Sequence, residues 1–349
     1  MIPVLPHYTH MVKLLIRLYE RGALPNVAAI SVEPLHGFVA RIHYHSGAVR
    51  YLHGASVDVN GNGAARIATD KDFAKHFMAE LGYRTPHGKA FLTPHHKAEL
   101  HSYYHNYNLP APPSFEDVPD YIANTLGFPC FIKPNDGHRG VDVYQCTTMH
   151  DVDAALAILA TRRLELILVE QAVKLPEYRV VIYNGALMAC YGKQALTVTG
   201  DGTSTVHDLL AATAQQMAEQ GRPLDLAALL PQIQARLHQT RYHLDSVLAA
   251  GEHLQLLDAA NLSAGGKPHE YTDTLHPEWA ALCVRLSQQM HLPFVGIDFM
   301  CADLHDPAAD YVIIEVNAAP SLLHYASIGE VQASRVEALY QAIYNTPPP

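Results

Sequence analysis

No apolar run in the 349 residues approaches the roughly 18–20 residues that a membrane-spanning helix needs. A transmembrane role is therefore not expected. A basic excess is missing as well. The 24 Lys and Arg are outnumbered by 34 Asp and Glu, a net charge of -10, which argues against a general nucleic-acid binder but leaves room for a local cationic pocket. Five cysteines, an odd number without a Cys-x-x-Cys pair, exclude an evenly paired secreted disulfide framework and predict reduced thiols in a cytoplasmic setting. The first residues, MIPVLPHYTHMVKLL, carry two early prolines and no small-residue cleavage site, so no signal peptide is expected. A Walker loop is absent. Gly61-x-Gly63 lacks the third glycine of a dinucleotide fingerprint, with Arg66 beyond it, and a plain Gly/Asn turn is expected there. The 23 histidines occur as HxH and HH without Cys or carboxylate partners at a familiar ligand spacing, so scattered surface histidines are expected rather than zinc. No internal repeat is present.

What is there is an ordinary globular composition, 49% hydrophobic and 17% charged, with mean hydropathy -0.02 and length enough for two or three lobes. Residues 9–21 read as a helix, and NVAAISVEPL and GFVARIHYHSG as strands. Thr69 or Asp70 can cap a helix running to Leu81 that Gly82 ends. The His-, Tyr- and Pro-rich stretch LTPHHKAELHSYYHNYNLPAPPSFEDVP reads as an irregular connection, followed by a short helix in VPDYIANTLG. Further strands are expected in PCFIKPN, VYQC, LELILVEQAV, GIDFMCADL and DYVIIEVN, with a hairpin turning at Asn184-Gly185. Residues 206–250 read as largely helical with a break at GRPLD, and a last helix is expected near 330–344. This mixture predicts α+β lobes rather than regular βαβ winding.

Four stretches carry polar groups where apolar ones are expected. In YVIIEVNAAPS, Glu315 and Asn317 stand two residues apart on one face of an oily strand. Asp298 interrupts FVGIDFM in the same way; if these successive strands pair antiparallel, the two acids meet. Two carboxylates and an amide oxygen, with no Cys or His beside them, are hard ligands suited to Mg²⁺. In FPCFIKPNDGHRGVDVY, Lys133 closes an apolar strand ahead of Gly137 and Gly140. A buried lysine seeks an anion, and the glycines would let backbone N–H groups approach phosphate; a strand with a polar turn fits that stretch equally well. In LILVEQAVKLPEYRV, Glu170 ends a strand and Glu177 follows seven residues later. A segment between two lobes can read adenine through its backbone, and a solvated strand end is the plainer alternative.

In this order the pieces resemble the ATP-grasp superfamily of carboxylate–amine ligases over roughly residues 60–330. Within it they are similar to the ATP-grasp module of cyanophycin synthetase and to glutathione-synthetase-like modules, through TVTGDGTSTVHDLL, NLSAGGKPHEYTDTLHP and EVNAAPSLLHYA. The resemblance implies an ATP-grasp fold, two α+β lobes clamping ATP. A short N-terminal α/β region would span residues 1–66, the first lobe with its Gly-rich loop 67–172, and the second lobe, with a helical insertion near 206–250, residues 173–349. It implies Lys71 and Lys133 on the α- and β-phosphates, under a loop of Gly137, His138, Arg139 and Gly140. Glu170 with the backbone of Gln171 and Val173 would read adenine, and Glu177 the ribose. Asp298, Glu315 and Asn317 would hold two Mg²⁺ ions, with Mn²⁺ as an alternative. Arg179 and Lys193 would face the γ-phosphate and the acyl phosphate, and Ser263, Gly265 and Gly266 would lie along the acyl substrate. The implied reaction joins an amino-acid-like or peptide carboxylate to an amine through an acyl phosphate, releasing ADP and phosphate. Small-molecule or peptide acids and amines would be its partners, with a homo-oligomer left open. A polymer-extending ligase and a degenerate nucleotide-binding regulatory protein are the alternatives. The loop departs from the usual KPxxGNxGxGV, reading KPNDGHRGVDV. The Mur-ligase-like half and the larger N-terminal region of cyanophycin synthetase are not in these 349 residues, so polymerisation by two alternating modules is not implied.

Overall fold

The computed structural model describes residues 5, 7–108, 110, 113–137, 140–219, 223–257 and 265–348. The chain opens with α1 (His10–Glu20), whose first turn is capped by the Thr9 hydroxyl. It continues through β1 (Val27–Val32), β2 (Val39–Tyr44) and β3 (Val49–His53), an antiparallel three-stranded sheet. Gly61 caps α2 (Asn62–Thr69), so the Gly/Asn turn expected there instead starts a helix. Asp70 then takes the Phe73 N–H and caps α3 (Lys71–Glu80), and the chain enters the left-handed region at Gly82 (φ 87).

A four-stranded antiparallel sheet follows, ordered β4-β7-β5-β6, from β4 (Gly88–Leu92), β5 (Cys130–Pro134), β6 (Tyr144–Cys146) and β7 (Leu166–Gln171). Between β4 and β5 lie α4 (Pro94–Asn106) and α5 (Val118–Tyr121), the latter running into a π turn over Ile122–Leu126. The expected irregular connection is therefore helical over much of its length, with Thr93 as its cap and Pro94 in the first turn. α6 (Met149–Leu159) packs with Ile132, Ile167 and Val169 to form the core of this lobe.

The larger sheet has five strands, ordered β12-β9-β8-β13-β14, all antiparallel to their neighbours. β8 (Glu177–Tyr183) and β9 (Ala186–Gln194) form the expected hairpin. Asn184 and Gly185 both adopt positive φ, 46° and 78°, as a twist-matched two-residue turn requires. β10 (Thr197–Thr199) and β11 (His253–Gln255) pair separately, beside α7 (Val206–Glu219) and α8 (Leu226–His238). Helix ends at His238, so the stretch 239–250 is turn and extended chain rather than helix. β12 (Lys267–Glu270), α9 (Pro277–Gln289), β13 (Phe294–Cys301), β14 (Tyr311–Asn317), α10 (Leu323–Ala326) and α11 (Glu330–Asn345) complete the chain.

Layers on both faces pack against this sheet. Val180, Ile182, Val295, Ile297 and Phe299 pack beneath α9, with α2 and α3 joining through Ala68, Ala74 and Met78. On the opposite face Val181, Ala189 and Phe294 share a core with α1, the three-stranded sheet and α11. The two ends of the chain thus form one body, and α3, expected within the first lobe, is buried against the second. Arg50, 4% exposed, locks the first of these unions. It donates to Tyr44 Oη and to the carbonyls of Val57, Asp58 and Thr346 at 2.6–3.1 Å. Arg50→Ala leaves those carbonyls without their buried donor, and a loss of about 2–4 kcal/mol is expected from urea unfolding. A change within about 0.5 kcal/mol, the range of an ordinary surface substitution, would contradict the role.

Candidate active site

The strand register builds one row of polar side chains across the larger sheet. Glu270 stands opposite Tyr191, Tyr191 opposite Arg179, Arg179 opposite Asp298 and Asp298 opposite Glu315. Directly paired residues share a face, so all five project to the same side. A bulge lets β14 carry Glu315 and Asn317 on this face while Ile313 pairs with Phe299 and packs below. Asn317 Nδ2 donates to Glu315 Oε1 at 3.0 Å. The Arg179 guanidinium clasps Asp298 in a two-point contact, Nε to Oδ1 and Nη2 to Oδ2, the second at 3.0 Å. Burial opposes the charge on Arg179, but the Asp298 carboxylate overrides it and holds the guanidinium well above its ordinary range.

The smaller sheet supplies a second polar group. Glu170 on β7 and Lys133 on β5 are diagonal neighbours, since Lys133 pairs with Leu168 and Glu170 with Phe131. Glu170 is 3% exposed. Its Oε1 contacts Lys133 Nζ, and its Oε2 takes Lys75 Nζ at 3.2 Å. Burial by itself would raise the Glu170 pKa and lower that of Lys133. The opposite charges win in both cases, so Glu170 is lowered by Lys133 and Lys75, and Lys133 is raised by Glu170, Glu315 and Glu177. Sequence reasoning passed over Lys75, although it sits one helical turn after Lys71 and therefore on the same helix face.

Helix α3 joins the two groups. Lys71, its first residue, donates to Gly137 O at 2.6 Å and lies 3.5 Å from Glu315 Oε2. Its backbone N–H and that of Asp72 meet Asn135 O and Oδ1 at 3.4 and 3.0 Å, docking the helix start on the end of β5. The end of β5, Gly137 and the β14 carboxylate thus converge on one helix terminus. Glu177 begins β8 two residues before Arg179 and on its face. Gln171 ends β7, its N–H bonded to His87 O at 2.7 Å, and Val173 lies in the link to β8. Gly137 and Gly140 follow β5, whereas His138 and Arg139 lie outside the described residues. Lys193 is in β9 opposite Pro268, with its side chain outside the description. Ser263 is also outside it. Gly265 and Gly266 are buried just before β12, and Gly265, at φ 96°, lies against Leu196 and Leu224. A separate cleft of about 460 Å³ beside Arg84, Trp279 and Tyr311 holds none of the residues predicted from sequence.

The donor set suits a hard cation in part. Glu315 and Asn317 offer adjacent oxygen ligands, while both Asp298 oxygens already engage Arg179, so Asp298 would have to share its carboxylate. Among the described residues no group of three or more His, Cys, Asp and Glu is placed to hold a metal. No described helix is long and apolar enough to cross a membrane.

No protein-family model matches the chain. It is 34% identical over 271 residues to a cyanophycin synthetase from Synechocystis, an alignment covering 74% of this chain and 28% of that one. It is 28% identical over 233 residues to a glutathione biosynthesis bifunctional protein from Mannheimia succiniciproducens, covering 62% and 30% respectively. The chain therefore spans under a third of the length of these curated relatives. The crystal structure of a bifunctional glutathione synthetase from Pasteurella multocida superposes with TM-score 0.55 at 19% identity, covering 96% of this chain and 44% of that one.

The ion pairs of Glu170 set a pH dependence. Its folded pKa lies below the ordinary carboxylate value of 4.5, so its stabilisation is present above about pH 4.5 and disappears as pH falls through the lower folded value. Glu170→Gln should be clearly less stable at pH 7, with the gap to wild type closing below about pH 4.5. Urea unfolding across this range checks it; parallel curves at every pH would contradict the assignment.

Proposed function

Because this chain belongs to the ATP-grasp superfamily, we propose that it is an ATP-dependent carboxylate–amine ligase. It forms an amide or peptide bond from an amino-acid-like or peptide carboxylate through an acyl phosphate, releasing ADP and phosphate. The observation that carries this reading is the position of Lys71, between the glycine turn after β5 and the Glu315 carboxylate on β14. Cations from the smaller sheet and α3 face carboxylates of the larger sheet there, which suits a polyanion bound between the lobes.

Lys71 and Lys133 hold the α- and β-phosphates, and Gly137, His138, Arg139 and Gly140 serve the same phosphates. The backbone of Gln171 and Val173 and the Glu177 carboxylate take the adenine and ribose. The Glu170 carboxylate, turned onto two lysines, serves the phosphate side of this site rather than the base. Glu315 and Asn317, with Asp298 sharing its carboxylate, would hold Mg²⁺, as two ions, with Mn²⁺ as an alternative. Such a metal would supply positive charge against that building on the transferring phosphoryl group. Arg179 presents a planar guanidinium, which Asp298 keeps charged and oriented, to the γ-phosphate and the activated acid. Lys193 adds a second cation, and Ser263, Gly265 and Gly266 line the acyl substrate. Closure of the site keeps water from the activated acid until the amine arrives. Positioning and charge complementarity do this work, so no covalent enzyme nucleophile is needed. All five cysteines are free and buried, consistent with a reducing cytoplasmic location.

A screen of acid and amine pairs with Mg-ATP tests the proposal: phosphate release should require both substrates. Lys133→Met should weaken ATP binding about 10- to 100-fold, the value of a charge-assisted contact. Unchanged affinity by calorimetry, or ATP turnover indifferent to both acid and amine, would overturn the assignment.

A further inference from the structure

Resting on the reading above, we propose that Lys75 is a positioning residue for nucleotide binding, which neutralises Glu170 so that the buried cluster presents one net positive charge through Lys133. Three side chains meet where β5, β7 and α3 converge. Lys75, Lys133 and Glu170 are 7%, 8% and 3% exposed, so water screens their charges little. Two ammonium groups share one carboxylate, Lys75 on Oε2 and Lys133 on Oε1. The sum is one positive charge, enclosed on the lobe that carries the glycine turn.

Without Lys75, Glu170 and Lys133 would close into a neutral buried pair, and the field drawing phosphate oxygens to Lys133 would largely cancel. With it, the carboxylate is divided between two donors. An ammonium has three N–H donors and Lys133 commits one of them to Glu170, so Lys133 keeps both charge and donors for an incoming anion. Helix geometry makes the arrangement possible. Lys71 and Lys75 lie one turn apart on the same face of α3, and the first reaches Gly137 and Glu315 while the second reaches Glu170. Lys75 meets the same carboxylate as Lys133, on its other oxygen, and acts through it.

The test compares wild type, Lys75→Met, Lys75→Arg and the double variant Lys75→Met/Glu170→Gln. Calorimetry gives the dissociation constant for Mg-ATP at two ionic strengths, and thermal melts report folding. Lys75→Met should weaken binding about tenfold, equivalent to one decade of affinity, and flatten the salt dependence. Lys75→Arg should restore affinity. The double variant removes one charge of each sign, leaves Lys133 unpaired and should recover most of the loss. Lys75→Gln, which keeps a donor for Glu170, carries the same expectation should the methionine variant not fold. Wild-type affinity and salt dependence in folded Lys75→Met or Lys75→Gln overturn the proposal while leaving the ligase reading intact. A double variant as weak as Lys75→Met also overturns it, because that pattern belongs to packing. Failure of the wild type itself to bind Mg-ATP overturns the ligase reading and this proposal together.

Discussion

Lys71 and Lys75 reach from one face of α3 to two different sheets, and the site depends on that span. Lys71 meets the glycine turn of the smaller lobe and Glu315 of the larger, while Lys75 enters the smaller lobe at Glu170. The helix itself is buried against the larger sheet through Ala74 and Met78. Its start is fixed by Asp70 as cap and by Asn135 docking on the first two N–H groups. Because those anchors are apolar contacts and hydrogen bonds to backbone N–H groups, the lysine charges are held in place without having to supply the folding energy themselves. Buried ion pairs do little for net stability but are costly to break, which makes them suited to fixing geometry.

The same logic runs across the larger sheet. Five strands in register turn a sequence pattern of isolated polar residues into one row, with Arg179 and Asp298 at its centre. The hydrophobic face beneath, from Val295 to Phe299, sets that register, since a slip of one residue would bury Asp298 and Glu315 among aliphatic side chains. Fold and chemistry are therefore specified by the same alternation. The bulge in β14 is the local adjustment that keeps both Glu315 above and Ile313 below.

Period and burial explain what could be read in advance. Strands with clear alternation, the Asn184-Gly185 turn and the acids breaking oily strands were legible, because each leaves a local mark. The pairing of Asp298 with Glu315 followed from successive strands. Elements without such a mark escaped. α4 is polar and His-rich on every side, so no apolar stripe announces it, although Thr93-Pro94 is a good helix start. β4 gains its identity only from pairing with β7, far along the chain. Residues 239–250 carry apolar side chains that serve the core of the insertion in turns rather than a helix. Lys75 escaped because a lysine on a helix normally marks solvent; only the tertiary fold places Glu170 opposite it.

An oxygen-18 transfer experiment tests the central claim, activation of a carboxylate by phosphorylation, most directly. With the acid substrate labelled at its carboxylate and turnover run with Mg-ATP and amine, mass spectrometry of the products should find one labelled oxygen in the released inorganic phosphate, alongside ADP. Label appearing in AMP, or phosphate released without label, would contradict it.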